Sequence, residues 1–196
     1  MRADEWHELS RSPELTIYTR DRSGSALQEI RAVGHFDAPT RILKEILADV
    51  EKYAEFMPYM KESRILPQDD QLHYTLLAPP LLAPRDCVIR VHQLTSTDAD
   101  GNTHYFSTWE PAAKEGPPVR SGVTRVTVND GSWLLEPVGA GTRATCTFYT
   151  DDGGLPAPLA NMINRQAAIR VFHALRIRAD DRGHRKDHPP IAALTH

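Results

Sequence analysis

The sequence lacks the residues that would commit it to several common architectures. Its 196 residues include only two cysteines, Cys87 and Cys146, both inside strand-like runs with no CxxC or Cys/His spacing around them. That excludes a disulfide framework and a zinc site, and leaves buried free thiols as the expectation. Excess positive charge is missing too. Lys and Arg number 23 against 26 Asp and Glu, a formal charge of -3, so no long-range field draws in nucleic acid or an anionic membrane. No apolar run approaches the roughly 20 residues of a membrane span, and the opening MRADEWHELSRSPE has no apolar export core, which points to a cytoplasmic protein. With 40% hydrophobic and 25% charged residues, the chain reads as one globular domain with a sizeable core.

What is present alternates in period. Residues 3–11 place Trp6 and Leu9 at helical spacing, so a short N-terminal helix is expected. LTIYTRD (15–21) and ALQEIRAVGHF (26–36) alternate in polarity across an Arg22-Ser23-Gly24-Ser25 turn and predict an antiparallel hairpin. A helix over 37–53 follows, with Pro39 near its first turn and Ile42, Leu43, Ile46, Leu47 and Val50 on one face. From 60 to 150 the period returns to two in successive runs separated by Asp, Gly and Asn turns, which makes a long antiparallel meander. Residues 155–181 then carry Leu155, Leu159, Met162, Ile163, Ile169, Phe172 and Leu175 in a long amphipathic helix that ends before Gly183, with 182–196 as a flexible tail. This order gives an α+β fold whose helices cover one face of a curved antiparallel sheet. Covering five or six apolar side chains of the last helix would be worth on the order of 10 kcal/mol before entropy costs.

Chemistry-bearing motifs are sparse. His35, His73, His92, His104 and His173 are scattered singly, without the spacing of a metal site, and no cofactor is indicated. There is no G-x-S-x-G, and Ser132 begins a strand. A basic stripe with interleaved aromatics is also missing, so nucleic acid is not a partner. In TDDGGLPAPLANMIN (150–164) a glycine pair opens the last helix, yet it follows an antiparallel strand and lacks the lysine of a nucleotide loop. Gly153, Gly154 and Pro156 therefore read as the hinge of a gate rather than a phosphate cradle.

Five segments in order, IYTRDRSGSALQEIRAVGHFDAP, YAEFMPYMKESRIL, APPLLAPRDCVIRV, PPVRSGVTRVTVNDGSWLLEP and TDDGGLPAPLANMIN, resemble the START family of lipid-binding domains within the helix-grip superfamily. The resemblance spans 1–181 and implies a sheet wrapped around the C-terminal helix, enclosing a tunnel for one lipid, with that helix and a neighbouring loop as its gate. Strand parity and helix face then select a lining of Phe56, Met57, Tyr74, Leu76, Val88, Phe106, Trp133 and Phe148 from the sheet side. Leu159, Met162, Ile163, Gln166 and Phe172 are the corresponding helix residues, and plain core packing is the alternative for each.

Arg90 and His92 share one strand face, and Arg120 opens a later strand. An arginine turned into an apolar tunnel needs a carboxylate or a ligand headgroup, so Arg90 either meets a lipid or points outward to an acid such as Glu110. The strand before PRD carries no acid to pair with Arg90, a departure from sterol-carrying relatives, so phospholipid is the expected ligand over sterol. Arg85 and Asp86 read as an ion pair at the strand entrance. The expectation is a non-enzymatic monomer that binds one lipid or other hydrophobic small molecule and touches membranes transiently. The alternatives are a ligand sensor and a small cyclase or hydrolase using His92 or Tyr74 as a general acid.

Overall fold

The computed structural model describes residues 5–151 and 154–187, with side chains described as far as Arg182. The hairpin is present as β2 (Leu15–Asp21) and β3 (Gln28–Phe36), paired from Leu15 opposite Gly34 to Asp21 opposite Gln28. The N-terminal segment is not a helix. It is β1 (His7–Arg11), an edge strand on β2 with a bulge at Leu9. Trp6 is the reason: its ring lies against the guanidiniums of Arg20 (4.5 Å) and Arg31 (4.0 Å), partners that only the hairpin brings together.

The helix expected over 37–53 breaks after α1 (Thr40–Ala48) into a 3-10 turn at Val50–Lys52 and a single turn, α2 (Tyr53–Phe56). The meander follows as β4 (Met60–Leu66), β5 (Asp69–Leu77), β6 (Arg85–Thr97), β7 (Thr103–Pro111), β8 (Thr124–Val126), β9 (Val128–Val138) and β10 (Gly141–Asp151). The ten strands form one sheet in the order β1-β2-β3-β10-β9-β7-β6-β5-β4, with β8 set parallel against the start of β6. α3 (Ala157–Asp187) is the last described element and runs past Gly183 into the 182–196 stretch expected as a flexible tail, of which 188–196 lie outside the described residues. No helix among the described residues is long and apolar enough to cross a membrane.

The main core lies between α1, α3 and the inner face of β2, β3, β10, β9 and β7, a helix-grip arrangement. Among its described residues α3 buries three alanines, Ala160, Ala168 and Ala179, the polar Asn164, and two large apolar side chains, Phe172 and Leu175. Its burial is therefore worth about 3–6 kcal/mol, below the sequence-based figure, because Leu159 and Met162 are exposed. The small residues let the helix approach closely: a Cβ on Gly34 would sit 2.7 Å from the Phe172 ring. That ring packs on Phe36 and Trp133, with centroids 5.8 and 5.4 Å away.

A second cluster, Leu66, Leu72, Tyr74, Leu76, Val88 and Ala112, occupies the opposite face of β4, β5 and β6. The excursion from Ala112 to Val126 folds over it. Its Gly116 lies so near Val88 that an added Cβ would meet Cγ2 at 2.4 Å. Arg125 clamps Asp86 with two hydrogen bonds of 2.7 and 2.8 Å, and the pair is almost fully buried. Asp86 thus pairs with Arg125 rather than with its neighbour Arg85, which donates to the Ala83 carbonyl.

Candidate ligand-binding face

Facing residues in an antiparallel ladder share a side, so the registers trace the inner face across the whole sheet. From Gly34 and Ala32 it runs through Ala144 and Cys146 of β10, Leu135 and Trp133 of β9, and Tyr105 and Ser107 of β7. It continues through Gln93, Val91 and Ile89 of β6 to His73 and Thr75 of β5, then Ile65 and Ser63 of β4. α3 rests on β2, β3, α1 and α2, at one side of this face. On the far wing, the inner residues Ser63, Ile65, His73, Thr75, Ile89 and Val91 are all only partly buried. Their neighbours on the opposite face, Leu72, Tyr74, Leu76 and Val88, are fully buried under the excursion. The sheet therefore leaves an accessible wall turned toward the helix side, in which Ile65, Ile89 and Val91 alternate with the polar Ser63, His73 and Thr75. Trp109, Trp133, Phe148 and Met57, all partly buried against the main core, border it.

This tracing divides the residues selected from the sequence. Trp133, Phe148 and Phe172 stand on the inner face, with Phe56 and Met57 packed at its edge. Tyr74, Leu76 and Val88 do not; they form the second core beneath the excursion. Phe106 lies on that opposite face, exposed beside Leu94 and Leu134. On α3, Leu159, Met162 and Gln166 are exposed about half a turn away from the buried stripe, while Ile163 is half-buried. Gly154 has φ +77°, a conformation suited to glycine, and Pro156 accepts the first helical hydrogen bonds from Leu159 and Ala160; Gly153 lies outside the described residues.

The arginines are occupied. Arg90 is bound by Asp69 and Glu115, and its own charge holds the Asp69 carboxyl below the usual range, chiefly through their hydrogen bond. Glu110, named as one acid that could pair with it, instead stands 3.9 Å from the exposed His92. Arg120 is bidentate on Glu62. Arg90, His92 and Glu62, the partner of Arg120, all stand on the face turned away from the inner wall.

Residues missed by sequence reasoning are the partners one position away: Ser63, Ile65, His73, Thr75, Ile89 and Val91. The available signal was the long Pro-rich stretch PAAKEGPP, long enough to cover a sheet face and so to bury its apolar residues. Burial pushes the His73 pKa down, partly opposed by a hydrogen bond to the Asp70 backbone. Cys87 accepts a hydrogen bond from Asn129 Nδ2 (3.2 Å), whose Oδ1 accepts one from Trp109 Nε1 (3.0 Å), tying β6, β7 and β9 together at one end of the wall.

A groove of about 590 Å³ opens between the 55–59 loop and the later half of α3. Phe56 and Ile169 line it and also pack, partly buried, against the main core. Tyr59, at φ +59°, accepts a backbone hydrogen bond from Ala78 and lies under the Arg170 guanidinium at 5.3 Å. Ion pairs Arg178–Glu55 (2.7 Å) and Arg182–Asp49 (2.9 Å) hold the helix across this side.

The chain matches the model of a family described as polyketide cyclase / dehydrase and lipid transport over residues 45–176. Among solved structures it is similar to a STAR-related lipid transfer protein of Xanthomonas axonopodis, at 25% identity and TM-score 0.78, over 90% of this chain and 99% of that one. It is also similar to human STARD10, at 16% identity and TM-score 0.75, over 94% and 77%. The di-domain ARO/CYC StfQ from the steffimycin biosynthetic pathway shares the fold at 16% identity and TM-score 0.51, over 80% and 46%. No curated protein matches the chain.

Proposed function

Because the chain belongs to the polyketide cyclase / dehydrase and lipid transport family, we propose that it binds one hydrophobic ligand, a lipid, against the inner face of the sheet and carries it between membranes unchanged. The observation that carries this reading is the inverted burial of β4–β6, where the side turned toward the helices is the accessible one. An accessible apolar wall costs about 25 cal/mol per Å² while it stays wet, and an apolar occupant removes that cost. The aromatic border of Trp109, Trp133 and Phe148 suits such an occupant, with few polar groups to orient it.

The sequence-based preference for phospholipid rested on the strand before PRD having no acid for Arg90, but that strand, β5, begins at Asp69, which pairs with Arg90. Arg90 and Arg120 are both held by carboxylates away from the inner face, so that preference loses its support. Gating by the 153–156 hinge remains part of the proposal: Gly154→Ala forces a side chain into φ +77° and should slow ligand exchange more than it changes final occupancy. For membrane contact, Leu81 is fully exposed at the tip of the loop before β6, and Leu81→Asp should lower transfer between vesicles without lowering binding. Native mass spectrometry of the purified protein, offered phospholipids, fatty acids and sterols, tests the reading directly; a protein that stays empty with all of them refutes it.

One observation supports a second reading, a cyclase-like enzyme: His73 is an inner-face imidazole kept neutral by burial, as a general base requires. In that reading His73, not His92 or Tyr74, carries the proton, since His92 is exposed and Tyr74 is sealed under the excursion. Turnover of a polyketide-like substrate abolished by His73→Ala, in a protein still folded, would select it.

A further inference from the structure

We infer that the ligand is uncharged, an apolar molecule whose polar end is a hydroxyl group recognised by Ser63, His73 and Thr75. This rests on the proposed binding at the inner face and specifies what that face accepts. Ser63 and Thr75 are directly opposed in the β4–β5 ladder, and His73 follows Thr75 by one inner position, opposite Ile65. Such neighbours lie about 5 Å apart across the ladder and 7–8 Å on the diagonal, close enough to converge on one ligand oxygen. Around them the wall is apolar, with Ile89 and Val91 on β6.

Most charged residues of these strands point the other way; the exceptions are Arg85, which has inner-face parity opposite Leu77, and Asp70, an anion beside His73, while Asp69 is drawn to Arg90. Glu62, Arg64, Asp86 and Arg90 share the opposite face with Tyr74 and Val88. Lys61 falls in the exposed bulge at the start of β4. Arg85, at the first position of β6, is buried and turned onto the Ala83 carbonyl.

The cationic side chains of the packed helices are held elsewhere, Lys52 on Asp49 and Arg170 over the Tyr59 ring, although Nε of Arg165 and of Arg178 is buried without a hydrogen-bond partner. On α1, Lys44 donates to Thr95 and sits over the Tyr105 ring. On α3, Arg178 is held by Glu55 and Arg176 donates to the His35 carbonyl. Arg165 stands on the same stripe as Asn161 and Arg176, which both bond the β2–β3 hairpin, so it lies on the flank of the helix away from β4 and β5.

A phosphate or carboxylate brought to the wall would thus leave water without a counter-ion, which is costly. A hydroxyl needs only one or two hydrogen bonds; Ser63 Oγ already accepts the Ala54 N–H (3.2 Å) but still offers its O–H, and His73 and Thr75 add an acceptor and a second hydroxyl. His73 adds a direction: with one ring nitrogen given to the Asp70 backbone and the ring neutral, the other is an acceptor and matches an O–H donor.

The test compares 1-hexadecanol with hexadecyl phosphate at pH 7.5. Binding is read by native mass spectrometry and by Trp109 and Trp133 emission in a Trp6→Phe background. The alcohol should bind at least tenfold tighter, and His73→Phe with Thr75→Val should remove about tenfold of its affinity. The comparison in the protein with its own His73 and Thr75 decides the question even if the double variant misfolds. Binding of the phosphate as tightly as the alcohol overturns the inference while leaving the inner-face site standing. Failure of both probes overturns the site and the inference together.

Discussion

Adding one methyl group at Gly34 tests how α3 is seated on the sheet. Gly34 is paired with Ala144 and Leu15, and a Cβ there would lie 2.7 and 2.8 Å from the Phe172 ring and 3.1 Å from the Glu14 carbonyl. Carbon atoms in contact prefer about 3.5–4.0 Å, so ring or strand must shift by about 1 Å. The ring has little room, being buried between Phe36 and Trp133. Overpacking of this kind costs about 1–3 kcal/mol. The backbone term has the opposite sign: Gly34 is not among the positive-φ residues, so alanine alone would stabilise by about 0.4–1 kcal/mol through the unfolded chain. Gly34→Ala should therefore destabilise the native protein, yet become neutral or stabilising in a Phe172→Ala background that itself loses about 3–5 kcal/mol. A double-mutant cycle in urea, followed by circular dichroism and tryptophan emission, should give a coupling of at least about 1 kcal/mol. Additivity within about 0.5 kcal/mol would mean that the ring does not lie over Gly34, and the seating described here would be refuted.

Other outcomes are equally open to measurement. Asp86→Ala leaves the Arg125 guanidinium buried without its carboxylate and should cost about 3–5 kcal/mol in urea unfolding; a loss below 1 kcal/mol would show the clamp is not formed. Arg90→Ala and Arg120→Ala should leave ligand affinity unchanged within about twofold, since both side chains face away from the wall, and a larger loss would return them to the site. Hydrogen bonds from His104 and Asn102 hold the Asp98 carboxyl down at about 2 from an ordinary 3.8. Its contribution to the β6–β7 turn is thus complete above about pH 4 and fades as pH falls through the folded value. An NMR titration in which Asp98 ionises near 4 in the folded protein would contradict that. Burial raises the Cys146 thiol pKa far above its usual range, so a thiol reagent at pH 8 should label it only on unfolding; native-state labelling at the rate of a free thiol would count against its burial.

The sequence by itself determined the element types and their order. Periodicity located the hairpin at 15–36, the strands from 60 to 150 and the final helix, because a half-buried strand and a one-sided helix each impose their own period on the chain. It also marked the glycine that the helix entry needs at Gly154. The misassigned N-terminal helix marks where that stops: Trp6 and Leu9 fit a helical spacing, but Trp6, just before β1, stacks with Arg20 and Arg31 from two other strands, and β1 pairs with β2.

Only the tertiary structure decided which side of each strand is inside. Alternation reports two faces and does not say which is the core. In β5 and β6 the larger apolar residues, Tyr74, Leu76 and Val88, are buried by a loop that returns from 112–126, not by the helix. That single cover reverses the parity, moves Arg90 and His92 away from the wall, and puts Ser63, His73 and Thr75 on it. The physical reason is that burial depends on whatever packs against a face, and a contact between residues far apart in the chain leaves no trace in the local pattern of either segment.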